Sequence, residues 1–311
     1  RPPFHRLLDA MVRILRADGY LLEEGASLRV TERVAPDPEQ LGAALRRDHP
    51  RMSGLVDLLE HCARHYSEAL SGRIEAIGVL YPGGASTLVE DCDRRTAEHR
   101  QDRRQILLLT AALRRLATEQ GSVERPFRVL EFGGGQGLLT WPLVQALSDL
   151  PVDLHVTDIG TAFVEDARRE AGRRGLLGPG PGLRLRVDRL DISQPADTRR
   201  FPQGSYDAIL AYNVLHAVSD LPAVLRQLRP LLAPGGQLAA VEILRTERWD
   251  TMTWGLAEGW WSYDDAVRTE GPLLSLSAWE RLLQGEGYLD PAAWPRPGDE
   301  RAGADHGLLL A

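Results

Sequence analysis

The stretch Val129–Leu143, VLEFGGGQGLLTWPL, decides the fold. A short apolar run ends at the acid Glu131, crosses Phe132 and a glycine cluster, and re-emerges as an apolar pattern with helical spacing. A strand that turns through glycines into a helix is the opening unit of a nucleotide- or cofactor-binding α/β domain, because only a bare backbone approaches a ligand that closely. Downstream, FRVLEF, VDLHVTDI, LRLRVDRLDI, YDAILAYNVLH and GGQLAAVEIL read as short β runs. They alternate with helical patterns such as TAFVEDARREAGRRG and LPAVLRQLRPLLAPG. Strand and helix in alternation predict an α/β, doubly wound, Rossmann-like parallel sheet with its ligand at the carboxyl ends of the strands.

Three cofactor classes use a glycine loop after a first strand. A P-loop needs Lys followed by Ser or Thr, and all 37 basic residues of this chain are Arg. A dinucleotide fingerprint would place its third glycine where Leu138 stands. The remaining form is acid-x-G-x-G-x-G, here Glu131, Gly133, Gly135 and Gly137, which serves S-adenosylmethionine (SAM). SAM has no pyrophosphate, so its amino-acid part is held by backbone groups that side chains would obstruct. A glycine-rich turn without a ligand is the competing reading of the loop taken alone. The second strand ends at Asp158, followed by Ile159, where an acid can accept both ribose hydroxyls. The third ends at Asp191 and Ile192, a polar contact and an apolar wall for adenine. The fourth brings Asn213 and His216 to the mouth of the sheet. A single Asp at a strand end is more often a helix cap; the ordered set is harder to reach by accident.

The 311 residues include 43% hydrophobic and 26% charged residues, enough for a core and unlike a disordered chain. A net charge of -7 argues against nucleic acid, which needs a basic face. The exclusive use of Arg points to a GC-rich bacterial source. Cys62 and Cys92 have neither metal nor redox spacing, which fits a reducing cytoplasm. No apolar run is long enough to span a bilayer, no membrane is expected, and no required metal follows from the His and carboxylate spacings. His61, His65 and His99 read as surface residues of helical segments.

Before Gly121 the pattern is helical: Phe4–Leu21, Met52–Leu70 and Arg103–Gly121 carry amphipathic stripes, and Ile77–Ser86 (IGVLYPGGAS) is a loop broken by Pro82, Gly83 and Gly84. The expected organisation is a helical N-terminal lid over 1–121 and a core over 122–311, with an inserted aromatic helix near 252–270.

Taken together, EFGGGQG, TDI, LDI, YDAILAYNVLH and LRPLLAPGGQLAAVEI resemble the core of a class I SAM-dependent methyltransferase from about Phe127 to Ala311. LHA after the fourth strand, GLAEGWWSY and PLLSLSAWERLLQGEGY, with VLYPGGAS in the helical part, resemble the methyltransferase domains embedded in modular polyketide synthases. A start at Arg1 without Met agrees with a domain cut from a longer chain. The resemblance implies SAM as cofactor, S-adenosylhomocysteine as product, neighbouring synthase domains, and an acyl carrier protein bearing a phosphopantetheine-tethered polyketide as partner. The excised domain is expected to be a monomer.

His216 is the natural general base near neutral pH, and Glu242, on the fifth strand beside the fourth, can orient it. The resemblance implies the same His/Glu dyad; a helix-capping His and a solvated Glu are the bland alternatives. Trp254, Trp260, Trp261 and Tyr263, with Tyr81 of the Pro-Gly-Gly loop, are expected either to pack a core or to line an acyl pocket. The family includes carbon and oxygen methyltransferases. Its carbon group carries a Tyr and an Asn after the Pro-Gly loop, whereas VEDCDRRTAEHRQDRR (89–104) has neither. That departure directs the expectation to O-methylation of a β-hydroxyl, as in the stigmatellin assembly line. C-methylation of a β-ketoacyl chain is the alternative, and a non-catalytic SAM-fold scaffold, a free-standing methyltransferase and a dehydrogenase are the weaker ones.

Overall fold

The computed structural model describes residues 4–96, 102–178, 180, 182–195, 197–269, 271–296, 299 and 305–311. They fall into two units, Arg1–Arg100 with Thr246–Ser262, and Gln101–Arg245 with Tyr263–Ala311.

The first unit is helical. Helix α1 (His5–Ala17) buries Leu7 and Ala10 on its inner stripe, and β1 (Leu21–Glu24) and β2 (Ser27–Val30) form an antiparallel hairpin turning at Gly25. Helix α2 (Pro38–Asp48) begins as its sequence dictates: Asp37 accepts the Glu39 and Gln40 N–H groups, and Pro38 occupies the first position, where no N–H is needed. The longer α3 (Ser53–Leu70), α4 (Ile77–Leu80) and α5 (Thr87–Thr96) follow. The segment Ile77–Ser86, expected as a loop, opens with one helical turn that stops at Leu80; beyond it Gly83 and Gly84 adopt φ of 63° and 79°, the left-handed conformation that keeps the chain from continuing as a helix. Leu7, Leu58, Cys62, Val79, Leu80, Cys92 and Leu256 form the core of this unit, with Tyr81, Trp254 and Trp261 partly buried against it.

No continuous helix spans 252–270. The segment forms a short helix, Arg248–Met252, then single 3-10 turns at Trp254–Leu256 and Glu258–Trp261. Gly255 and Gly259 interrupt the helical pattern, and Leu256 joins the core of the helical unit.

The second unit holds the sheet. Helix α6 (Asp102–Gln120), read from the sequence with the N-terminal helices, contributes Ile106, Leu109, Leu113 and Ala117 to the core under the sheet instead. Strands β3 (Phe127–Phe132), β4 (Val152–Asp158), β5 (Arg184–Arg189), β6 (Tyr206–Tyr212) and β7 (Leu232–Ile243) are parallel. Strand β9 (His306–Leu310) lies antiparallel between β7 and the edge strand β8 (Ala292–Trp294), giving the order β5-β4-β3-β6-β7-β9-β8. Helices α7 (Thr140–Leu147), α8 (Thr161–Arg173), α9 (Leu221–Leu228) and α10 (Leu276–Gly285) cover the two faces.

Alternation along each strand divides the core. Val129, Leu154, Val156, Leu185, Val187, Ala208 and Leu210 pack on the face of α6, α7 and α8; Leu130, Phe132, Ile209 and Ala211 pack on the face of α9 and α10. Burial on both faces explains why these strands read as continuous apolar runs. The order reverses between β3 and β6, so a crevice opens at their carboxyl ends. Among the described residues no helix is long and apolar enough to cross a membrane.

Candidate active site

The glycine loop leaves the end of β3 in a conformation side chains rarely tolerate. Gly133, Gly135 and Gly137 have φ of 66°, 49° and 81°. A Cβ on Gly133 would lie 2.3 Å from Val214 Cγ2, and one on Gly137 would lie 2.2 Å from Trp141 Nε1. At Gly135 only ordinary contact is met, Gly133 O at 3.9 Å, so its bareness serves conformation and ligand approach rather than packing. The loop is closed by Gly134 N–H to Thr157 O (2.9 Å) and Gly137 N–H to Gly134 O (2.8 Å).

Two acids brace it. Glu131 is buried, and the Thr140 hydroxyl lies 3.0 and 2.9 Å from its two carboxylate oxygens. Burial pushes this carboxyl up to about 8, against the pull of the Thr140 hydroxyl, and the neighbouring Asp158 charge adds to the rise. Asp158, at the end of β4, accepts the Gly135 N–H on Oδ2 (2.9 Å) and the Gly160 N–H on Oδ1 (2.7 Å). A carboxylate offers about four lone-pair sites, so these two bonds orient it and leave capacity for ribose hydroxyls. Ile159 beside it is exposed.

Asp191 follows β5 and closes a turn, its Oδ1 accepting the Ser193 N–H (2.9 Å) and hydroxyl (2.6 Å). Ile192 packs partly buried against the α9 face. Asn213 does something the sequence did not suggest. At φ 51° it reverses the chain after β6; its Oδ1 accepts the Ile243 N–H (2.9 Å) and its Nδ2 lies 3.1 Å from His306 Nε2. The side chain is thus bound to β7 and β9, a strand-tying role. The bare left-handed loop and the oriented Asp158 carboxylate fit SAM, with Glu131, Gly133, Gly135, Gly137 and Asp158 as the residues that would hold it.

The structure brings His216 and Glu242 together. His216 sits in a single 3-10 turn, Leu215–Ala217, and its Nδ1 is 2.8 Å from Glu242 Oε2. Glu242, fully buried at the end of β7, uses its other oxygen to accept the Val214 and Leu215 N–H groups, both at 2.9 Å. A buried carboxylate held by two amides and an imidazole is oriented from three sides. With Nδ1–H donating a hydrogen bond to Glu242, the lone pair stands on Nε2, the tautomer a general base needs.

Sequence reading missed the support under this turn. Arg268 has a fully buried side chain and donates to the carbonyls of His216 (2.7 Å), Val218 (2.6 Å) and Ser219 (3.1 Å). It pairs with Asp265 at 2.6 Å, and Asp265 in turn accepts the Leu221 N–H at 3.1 Å. Burial alone would raise the Asp265 carboxyl; the hydrogen bonds from Arg268 and the Leu221 N–H outweigh it and hold it below its ordinary value. The only signal in the sequence was an acid and an Arg three apart, in a segment with no regular period.

The aromatic residues divide between the units. Tyr81, Trp254 and Trp261 pack on the helical core, and Trp261 Nε1 donates to Gly255 O at 2.8 Å. Trp260 is buried. Tyr263, buried in the sheet unit, lies under the Arg268 guanidinium at 5.4 Å. His61 and His65 are half-buried rather than surface residues, His61 Nε2 standing 2.9 Å from Val79 O; His99 lies outside the described residues, as do 97–101 of the 89–104 run. Among the described residues no group of three His, Cys, Asp or Glu could hold a metal ion.

A family model described as a methyltransferase domain matches residues 130–238. The polyketide synthase ThaQ of Burkholderia thailandensis is 33% identical over an alignment of 304 residues that covers 93% of this chain and 14% of that protein. The chain therefore spans about a seventh of that relative. The crystal structure of the DszA carbon methyltransferase aligns with a TM-score of 0.84 and 29% identity, covering 100% of this chain and 79% of that one. The CurJ carbon methyltransferase aligns at 0.83 and 28%, covering 100% and 80%. The glycine loop, the strand order and these relatives lead to one conclusion: the chain is a class I SAM-dependent methyltransferase domain of the kind found in polyketide synthases.

Proposed function

We propose that this domain methylates the α-carbon of a β-ketoacyl chain tethered to an acyl carrier protein, with His216 as the base. The observation that carries this reading is the likeness along the whole chain to two carbon methyltransferases. It outweighs the oxygen acceptor expected from the absence of Tyr and Asn in residues 89–104, part of which lies outside the described residues.

The chemistry fits the dyad. Protons between two carbonyls are acidic enough for an imidazole to remove. His216 Nε2 takes the α-proton, the C–H electron pair passes into the enolate, and Glu242 stabilises the imidazolium through Nδ1. SAM, when bound, supplies an electrophilic methyl group. Arg268, through the His216 carbonyl, keeps the turn from shifting as the ring gains charge. Asp158 binds the ribose, the glycine loop accommodates the amino-acid part of the cofactor, and Asp191 and Ile192 take its adenine. For Tyr81, Trp254, Trp260, Trp261 and Tyr263, substrate lining is proposed alongside the packing described above.

The test supplies SAM with two carrier-bound substrates, one β-ketoacyl and one β-hydroxyacyl, and weighs each by intact mass. A gain of one methylene mass on the keto substrate alone supports the reading. A gain on the hydroxy substrate alone overturns it in favour of O-methylation, and no gain on either, with SAM still bound, would make the domain a scaffold.

A further inference from the structure

The N-terminus of β9 lies beside the dyad, although nothing in its sequence suggested a part in the site. Ile243 pairs with His306, and Glu242 with Gly307, so His306 stands at the carboxyl end of β7. We propose that His306 is a positioning residue for the His216–Glu242 dyad: by fixing Asn213 it aims the two amides that hold the Glu242 carboxylate. The proposal rests on the reading of His216 as the base.

The hydrogen bonds run in one consistent direction. Asn213 Oδ1 accepts the Ile243 N–H at 2.9 Å, which fixes the amide so that its NH2 faces His306. At 3.1 Å from that donor, His306 Nε2 has to be the acceptor. Its proton then sits on Nδ1, where Asp305 Oδ1 accepts it at 3.0 Å. Gln105 of α6 donates to the His306 carbonyl at 2.9 Å and holds the strand end in place. Each donor meets an acceptor only for neutral His306 in this one tautomer.

Asn213 is the link to the chemistry. Its φ of 51° is a strained conformation for a residue with a Cβ, although Asn tolerates it better than most. Both ends of its side chain are bound, and its own N–H donates to Val241 O at 2.8 Å. The reversal it makes sends the next two N–H groups, of Val214 and Leu215, onto Glu242 Oε1. Glu242 Oε2 receives His216 Nδ1. Hydrogen bonds join Asp305, His306 and Asn213, and others join Glu242 and His216; the main-chain reversal at Asn213 connects the two sets through the Val214 and Leu215 N–H groups, and only His216 meets the substrate.

The test compares His306→Leu, which removes the acceptor, with His306→Gln, whose carbonyl can reach the position of Nε2. Nitrogen NMR of the His216 ring reads the dyad directly, and turnover of a β-ketoacyl carrier substrate reads its consequence. In His306→Leu the hydrogen-bonded Nδ1–H signature of His216 is expected to be lost and kcat to fall roughly tenfold or more, with SAM affinity and substrate KM unchanged. His306→Gln should restore both. In a Glu242→Gln background His306→Leu should cost nothing further, since it acts through that carboxylate. Should the leucine variant not fold, Asp305→Ala leaves the ring in place, frees its tautomer and should produce a smaller loss of the same kind. An unchanged His216 signature in these variants, or losses that multiply with Glu242→Gln, would overturn the proposal. A lost signature with full turnover would instead retain the positioning and remove His216 as the base.

Discussion

His216 Nδ1 and Glu242 Oε2 lie 2.8 Å apart, and the Glu242 carboxylate is fully buried with its second oxygen on two main-chain amides. The pair joins the end of β6 to the end of β7 across the parallel register in which Tyr212 lies opposite Val241. A solvated strand-end Glu would show none of this.

His216→Ala should lower kcat by about a hundredfold or more, the usual contribution of a general base, while SAM affinity measured by calorimetry stays the same. Glu242→Gln should also lower kcat, because its single oxygen stays with the Val214 and Leu215 N–H groups and its NH2 then faces Nδ1, which moves the ring proton to Nε2. A His216→Ala domain with full activity would place the base elsewhere.

Gly135→Ala separates ligand approach from folding. The added Cβ meets no close atom, and the left-handed φ of 49° costs about 1–2 kcal/mol. The domain should fold with a slightly lower Tm and bind SAM much more weakly. Gly137→Ala, whose Cβ would lie 2.2 Å from Trp141 Nε1, should lose far more stability in the same thermal melt.

Asp158→Ala removes the acceptor for both the Gly135 and Gly160 N–H groups. The SAM dissociation constant is expected to rise by more than tenfold, with little change in kcat at saturating SAM. Unchanged affinity would eliminate the ribose contact.

Arg268→Ala leaves the buried Asp265 carboxylate without its counter-ion and three carbonyls without a donor. Breaking a buried pair from one side costs about 3–5 kcal/mol, so urea unfolding should show a loss of that order. A loss below about 1 kcal/mol, the scale of an exposed pair, would mean that the pair is not buried in solution.

Glu131 yields a pH dependence. Its carboxyl moves from the ordinary 4.5 up to about 8 on folding, so the native state holds a proton that the unfolded state has released between those values. Stability from this group is complete below 4.5 and falls as pH rises towards 8. In melts of the SAM-free domain, Glu131→Gln should gain Tm relative to the parent as pH increases through that window. A difference independent of pH would show that the carboxyl is ionised throughout.

The strand ends were legible because the parallel strands of a doubly wound sheet all end on the same side, so the positions of Asp158, Asp191 and His216 just at or after their strands could be placed by order alone. Glu242 was legible because β7 follows β6 as its neighbour. The hairpin Leu21–Val30 was not, since its residues are largely exposed on both faces and show no alternation. Helix α6 carries the same helical stripe as α3, and only tertiary packing decides which core receives Ile106 and Leu109. Arg268 and His306 serve main-chain groups far away in sequence, and such bonds leave no local period. Asn213 was placed at the correct strand end, but the φ of 51° that defines its role is not visible in a one-letter code.

The most direct measurement gives the domain SAM labelled in its methyl group and a β-ketoacyl carrier protein, and locates the label by NMR in the parent and in His216→Ala. The account expects the label on the α-carbon, with one α-proton lost, in the parent, and almost none in the variant. Label on oxygen, or carbon methylation that persists without His216, would contradict it.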